Sequence, residues 1–327
     1  GLLLHVGKQK TKRDEALYNT IQENEIPFFF EFLPSAVEAV IDRVDLWHGM
    51  GRKPLPLIDV IICLVVKEYF KLSLRRSIGF LKLMKKAGFI NVQIPCFKSL
   101  GNYQNNGEIQ FYVKRLVELT SNVFSTIEKE MATDSTGIST KCFSSWFSIR
   151  VCKKSRRRDH IMVHISVGTK SNIVVALNVQ NGKGKDNVIF RSHVRNVSPR
   201  FHVEDWSGDS MYLSRDNCNS VDEIGAIPWF KPKSNTTSKA KGSSAWKRMV
   251  NGFKENPEVA YEKYHMRSNV ESTNSAKKRK FSSFVRSRNS TSQRIEESLS
   301  WVGYNLSLMP RAVHEFGLDP ISTFKMR

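Results

Sequence analysis

Residues 159–167 read Asp-His-Ile-Met-Val-His-Ile-Ser-Val, with Ile161, Val163, Ile165 and Val167 at every second position. A period of two puts these four side chains on one face of a β-strand, which 3.6 residues per helical turn cannot do. On the N-terminal side, Phe143–Val151 alternates likewise, with Phe147, Ile149 and Val151 against Trp146, Ser148 and Arg150, and Met131–Ile138 reads as a further strand. On the C-terminal side Ile173–Val179 is almost continuously apolar, the pattern of a strand covered on both faces. Beyond it helices and strands alternate. The pattern predicts a helix over Asp186–Val197, a short strand ending near Asp209, a helix from Ser214 and a strand through Ala226–Phe230. A loop over Lys231–Lys254 with seven basic and no acidic residues follows, then one long helix over Pro257–Lys280 and another over Gln293–Met309. Antiparallel strands followed by alternating helices and strands predict an α/β fold, a mixed sheet flanked by helices.

Upstream of Glu130 the period is helical. Ser35 can cap a helix over Ala36–Trp47, and Pro54–Pro56 precedes an apolar helix from Leu57 to about Phe70. Ser73 can cap the next helix. Leu74, Ile78, Leu81 and Met84 form its inner stripe, Arg75, Arg76, Lys82 and Lys86 lie outside it, and Gly88 stops it. A short helical piece near Ser99–Gln104 and a longer helix over Gln110–Ile127 complete this part. The expected organisation is a basic arm over 1–20, an all-helical domain over 21–127, an α/β domain over 128–310 and a tail over 311–327.

The chain has 327 residues, and 51 Lys+Arg against 31 Asp+Glu give a net charge of +20. A pI near 9.8 points to a polyanionic partner, either nucleic acid or an acidic membrane surface. The longest apolar run, Leu57–Val66, contains Asp59 and ends at Lys67-Glu68, too short to cross a bilayer. Five cysteines without a C-x-x-C pair argue against a disulfide framework or structural zinc site and for reduced thiols in a cytosol. Residue 1 is Gly, and no secretory h-region follows it. The reading is a soluble, cytoplasmic protein.

Three acids stand out by position: Asp134 in Ala132-Thr-Asp-Ser-Thr-Gly137, Asp209 in Gly208-Asp-Ser-Met-Tyr-Leu-Ser-Arg215, and Glu271 in Tyr264-His-Met-Arg-Ser-Asn-Val-Glu271. Neighbouring strands can bring Asp134 and Asp209 together, and a helix packed on the sheet can add Glu271. Such a cluster repels itself unless cations hold it, and hard oxygen ligands suit Mg²⁺ or Mn²⁺. Any one of the 31 acids is more often a surface residue or a helix cap; the company of Glu271 changes the balance. Tyr264, Arg267, Glu271 and Lys278 lie at offsets of 0, 3, 7 and 14, within roughly 60° of one another around a helix. An aromatic hydroxyl, a guanidinium, a carboxylate and an ammonium on one face suit a phosphodiester, although a solvated salt-bridged face would share the spacing.

Other candidates are weaker. On a strand, His160 and His164 lie about 13 Å apart, too far for one zinc ion. Gly182-Lys-Gly-Lys185 lacks the spacing of a P-loop. Trp206, Trp229 and Trp246 could stack on bases, but core packing is expected for at least two of them. The basic runs Arg150–Arg158, with Lys153, Lys154, Arg156, Arg157 and Arg158, and Lys277–Arg294, with Lys277 and Arg279, flank the proposed site and would neutralise phosphates.

Tyr-x2-Arg-x3-Glu-x6-Lys resembles the helix signature of DDE transposases encoded by bacterial and archaeal insertion sequences. The blocks around Asp134 and Asp209 are similar to the family's, as are Gly225-Ala-Ile-Pro228, Lys233-Ser-Asn235, Gln293, Glu297 and Tyr304-Asn-Leu306. The resemblance covers roughly residues 25–310, and the gaps of 75 and 62 residues between the acids are of the family's kind. It implies an RNase H-like catalytic domain in which Asp134, Asp209 and Glu271 hold two divalent metal ions, Mg²⁺ or Mn²⁺. The implied reaction is cleavage at the ends of an insertion sequence followed by attack of the freed 3′-hydroxyl on target DNA, with Tyr264, Arg267 and Lys278 gripping the cleaved ends. The implied partners are double-stranded DNA, as terminal inverted repeats and target, and a second copy of the chain on paired ends. The N-terminal helices would read the repeats through Ser99–Gln104 or the Lys82–Lys86 face. Two departures are visible: Phe201–Gly208 is more polar than the usual strand, so that Glu204 or Asp205 competes with Asp209, and the insertion before Glu271 is short. The Tyr-Leu-Ser-Arg block favours Asp209. Two alternatives remain open, a transposase-derived DNA-binding protein without activity and a structure-selective nuclease on the same fold.

Overall fold

The computed structural model describes residues 14–41, 54–140, 160–182 and 186–325. Six helices come first: α1 (Glu15–Glu23), α2 (Glu25–Val40), α3 (Leu57–Tyr69), α4 (Leu74–Lys86), α5 (Phe97–Gln104) and α6 (Ile109–Asn122). Helix α1 starts inside the stretch expected to be a loose arm, with the Asp14 carboxylate accepting from the Leu17 amide at 3.0 Å. Helix α2 begins ten residues before the expected cap at Ser35 and runs through Pro34. Phe29, Phe30, Phe32 and Leu33 extend its apolar stripe upstream and are all buried; their burial outweighs the ~3 kcal/mol that an interior proline costs. Helix α4 follows the predicted stripe and ends at Gly88, whose φ of +84° only glycine adopts freely.

The sheet consists of β1 (Glu130–Ser139), β2 (His160–Gly168), β3 (Val174–Asn181), β4 (Asp205–Gly208) and β5 (Ile227–Phe230) in the order β3-β2-β1-β4-β5. Strands β1, β2 and β3 form an antiparallel meander, and β4 and β5 add in parallel beside β1. Helix α7 (Asp186–Val197) covers one face. There Trp206 Nε1 donates to Thr133 Oγ1 at 2.8 Å, Thr133 meets Ser166 at 2.6 Å, and Ser166 meets His193 Nδ1 at 2.8 Å. Helix α8 (Arg215–Asp222) follows as expected, with Ser214 Oγ accepting from the Asn217 amide as its cap. The expected strand Phe143–Val151 lies outside the described residues.

Two expectations about the last third need correction. The stretch Lys231–Lys254 is not all loop, because α9 (Ser244–Glu255) buries Ala245, Trp246, Met249, Val250 and Phe253 along one side. The single long helix is two, α10 (Pro257–His265) and α11 (Ser268–Phe281). They are joined by a tightened turn in which the Arg267 amide donates to the Tyr264 carbonyl at 3.1 Å and the Val270 amide to the Arg267 carbonyl at 3.0 Å.

Helix α12 (Ser290–Leu306) lies between the sheet and the N-terminal helices, packed on α3, α6 and β3. Its Asn305 amide accepts from the Val174 amide at 3.1 Å and donates to the Val174 carbonyl at 2.9 Å and to Thr120 Oγ1 on α6 at 3.1 Å. Arg200 makes a second tie, donating to the Val175 carbonyl at 2.6 Å and to Ser121 Oγ at 2.9 Å. One hydrophobic core therefore runs without interruption from Phe29 through the sheet to Phe324. The expected C-terminal tail contributes α13 (Met309–His314) and α14 (Pro320–Lys325), both packed on α2. No described helix is long and apolar enough to cross a membrane.

Candidate active site

The site is set by the register of two parallel strands. Met131, Ala132 and Thr133 of β1 pair with Trp206, Ser207 and Gly208 of β4, so that the next residues, Asp134 and Asp209, come side by side at the carboxyl end of the pair. Gly208 is required there, since a Cβ would sit 2.7 Å from the Phe230 ring on β5. Just beyond the strand the Asp209 carboxylate accepts from the Ser210 amide at 2.6 Å and caps a single 3₁₀ turn over Ser210–Tyr212. Glu204 and Asp205, the competing acids, lie at the far end of β4. Lys129 engages Glu204 at 2.8 Å, and Lys263 engages Asp205 at 2.7 Å.

Glu271 approaches from α11. Arg267 Nη2 lies 2.8 Å from Glu271 Oε1, and its guanidinium is 5.7 Å from the centre of the Tyr264 ring. Lys278, two turns after Glu271, donates to Thr136 Oγ1 at 2.6 Å, and Thr136 shares the strand face of Asp134. Burial pushes the Asp134 carboxyl up to about 6; Asp209 and Glu271 add to that shift, while the Ser135 amide and Arg267 oppose it. Burial works against the charge of Arg267, but Tyr264, Glu271, Asp209 and Asp134 outweigh it and hold the group above its usual range. The three acids thus share one electrostatic neighbourhood with one arginine.

Three carboxylates are hard donors of the type that Mg²⁺ and Mn²⁺ take, so the donor chemistry fits a divalent cation. Among the described residues no group of three His, Cys, Asp or Glu side chains is gathered closely enough to hold one. The ion pair with Arg267 gives Glu271 another partner.

The remaining sequence candidates divide sharply. Tyr264 is buried and Arg279 is exposed. Lys277 does not face DNA: it is completely buried, with its ammonium 2.5 Å from Glu297 Oε1 and 5.3 Å from the centre of the Trp301 ring. The basic run there reads as surface only if the partner on α12, twenty residues on, is ignored. Lys153, Lys154, Arg156, Arg157 and Arg158 lie outside the described residues, as does most of Gly182-Lys-Gly-Lys185. His164 is buried on a strand while His160 is exposed, so the two do not share a metal. Trp206 and Trp246 are buried, and half-buried Trp229 donates to Asp205 at 2.6 Å. Burial pushes the Cys63 and Cys218 thiols up to about 12, which makes them inert.

Sequence reasoning missed Thr136, two residues after Asp134, and Tyr212, which is 2 % exposed beneath the site and 3.3 Å from His164 Nδ1. The alternation of β1 carried the signal for Thr136. Tyr212 had none beyond its place in the block after Asp209. A family model described as Transposase DDE domain matches residues 127–306, a span that contains all three acids. No curated protein and no solved structure matches the chain.

Proposed function

We infer that this chain, which belongs to the Transposase DDE domain family, is a transposase that cuts the ends of an insertion sequence and joins the freed 3′-hydroxyl to target DNA. Asp134, Asp209 and Glu271 are the residues that would hold divalent metal, Mg²⁺ or Mn²⁺, which would supply charge neutralisation at the scissile phosphate. The observation that supports the reading is the parallel register of β1 and β4 through Thr133 and Gly208, after which Asp134 and Asp209 are the next residues on their strands, with Arg267 in the field of both and paired to Glu271.

The chain's own groups bind and orient the DNA. Arg267 and Arg279 offer planar forks to non-bridging phosphate oxygens, and Lys278 supplies a point charge. Asp134 is half-buried, which shields one side of the acid pair and leaves the Glu271 side, 53 % exposed, open to substrate. Joining two ends in concert requires two such sites, so the assembly is a homodimer on paired double-stranded ends. The basic run Lys153–Arg158 neutralises flanking phosphates.

The test is cleavage of end DNA with Mg²⁺ by the intact protein and by Asp134→Ala. The substitution is expected to lower cleavage by roughly three orders of magnitude or more; undiminished cleavage would refute the assignment. Pre-cleaved ends supplied with a target plasmid separate a transposase, which joins them, from a nuclease, which does not.

A further inference from the structure

The two parallel strands carry a second acid pair, and it shows how this fold neutralises one. Glu130 of β1 and Asp205 of β4 are register partners, four residues before Asp134 and Asp209 on their respective strands. Lys263 of α10 bridges them, 2.6 Å from Glu130 and 2.7 Å from Asp205. Arg267, four residues on in the tightened turn after α10, lies in the field of Asp134 and Asp209. Here the arrangement is not closed. Arg267 gives its Nη2 to Glu271 at 2.8 Å, and no matching two-acid bridge forms over Asp134 and Asp209 among the described residues. One acid pair is permanently satisfied by a lysine; the other faces an arginine held aside by a third acid.

We propose that Arg267 is the resident counter-ion of the catalytic acids, and that divalent metal displaces it from Glu271 and frees its guanidinium for a DNA phosphate. The proposal rests on the metal-dependent reading above. Metal and arginine compete for one carboxylate, so metal entry hands a phosphate ligand to the substrate. By reciprocity, a phosphate that draws Arg267 away raises the affinity for metal. The repulsion among the acids is offset by Arg267, which lies in the field of all three while metal is absent, and metal replaces it more readily when DNA gives the arginine another anion. Arg267 is thus a positioning residue acting through Glu271, in addition to any contact with substrate.

Mn²⁺ binding to chelator-stripped protein, followed by electron paramagnetic resonance, tests this without any turnover. Without DNA, Arg267→Gln is expected to bind Mn²⁺ roughly tenfold more tightly than the parent protein. Lys263→Gln removes an equal charge four residues away and is expected to leave the Mn²⁺ affinity of the Asp134 site within about twofold, any uptake by the freed Glu130–Asp205 pair being counted as a separate site. A short duplex bearing a cleaved end is expected to tighten Mn²⁺ binding by roughly tenfold in the parent and to leave Arg267→Gln unchanged. Arg267→Lys, which keeps the charge without the fork, is expected to lose most of that DNA effect and serves as the second probe if the glutamine variant does not fold. Equal Mn²⁺ affinities in the parent and Arg267→Gln, with or without DNA, would overturn the counter-ion role and leave the metal site standing. No saturable Mn²⁺ binding by any of the proteins would overturn both.

Discussion

At the scale of single residues, burial separates side chains that a list of charges treats alike. Lys277 and Lys278 are consecutive, yet one is sealed against Glu297 while the other reaches Thr136 at the edge of the acid cluster. Replacing Lys277 by Met strands the Glu297 carboxylate inside the core; denaturant unfolding should show a loss of about 3–5 kcal/mol, with DNA affinity little changed. Lys278→Ala should do the reverse, leaving stability near the parent's and lowering the salt slope of DNA binding by about one. His193 supplies a pH dependence. Burial, with His164 and Lys114 adding to it, pushes its pKa down from 6.5 to about 3. The unfolded chain therefore takes up a proton near pH 6.5 that the folded chain refuses. Stability from this group is complete above that pH and is lost as pH falls toward 3, at about 1.4 kcal/mol per unit. Unfolding free energies measured at pH 7 and pH 5 should differ by about 2 kcal/mol from His193 alone, and His193→Gln should remove that part of the difference.

At the scale of elements, the acid pair is only as well placed as strand β4. A methyl group at Gly208 would meet the Phe230 ring at 2.7 Å, so Gly208→Ala should cost about 1–3 kcal/mol and displace Asp209. The melting temperature and the cleavage rate should fall together, and Phe230→Leu should restore part of both. The elements also show what a sequence reveals. Strands β2 and β3 are legible because alternation and a short unbroken apolar run are local signals that burial of one face or of both enforces. Helix α9 was hidden although Ala245, Trp246, Met249, Val250 and Phe253 mark a helical stripe, because the basic residues between them read as loop. The break at Arg267 was hidden as well, since no Pro or Gly marks it and only the geometry of a tightened turn reveals it. Asp134 and Asp209 could be nominated from the sequence, but their adjacency depends on a parallel pairing across 75 residues. The fate of Lys277 depended on Glu297, a partner on another helix that no local pattern can name.

At the scale of the whole molecule, α12 governs cooperativity. It packs on β3 behind it and on α3 and α6 in front, and Asn305 hydrogen-bonds to both layers. Heating should give one calorimetric transition rather than separate ones for the helical and sheet regions. A fragment beginning at residue 128 exposes the α3 and α6 side of α12; it should bind a hydrophobic dye and lose its near-ultraviolet dichroism while keeping its far-ultraviolet signal. Two well-separated transitions in the intact chain, or a rigid fragment, would contradict the shared core. That core bears on how such proteins diversify. A chimera that grafts another sequence's first 127 residues onto this sheet replaces the bed in which α12 lies, and with it the α6 packing on β3. Modules that look exchangeable along the polypeptide are welded in space. Outward-facing side chains can be altered one at a time without disturbing that bed, whereas whole segments cannot be traded without doing so.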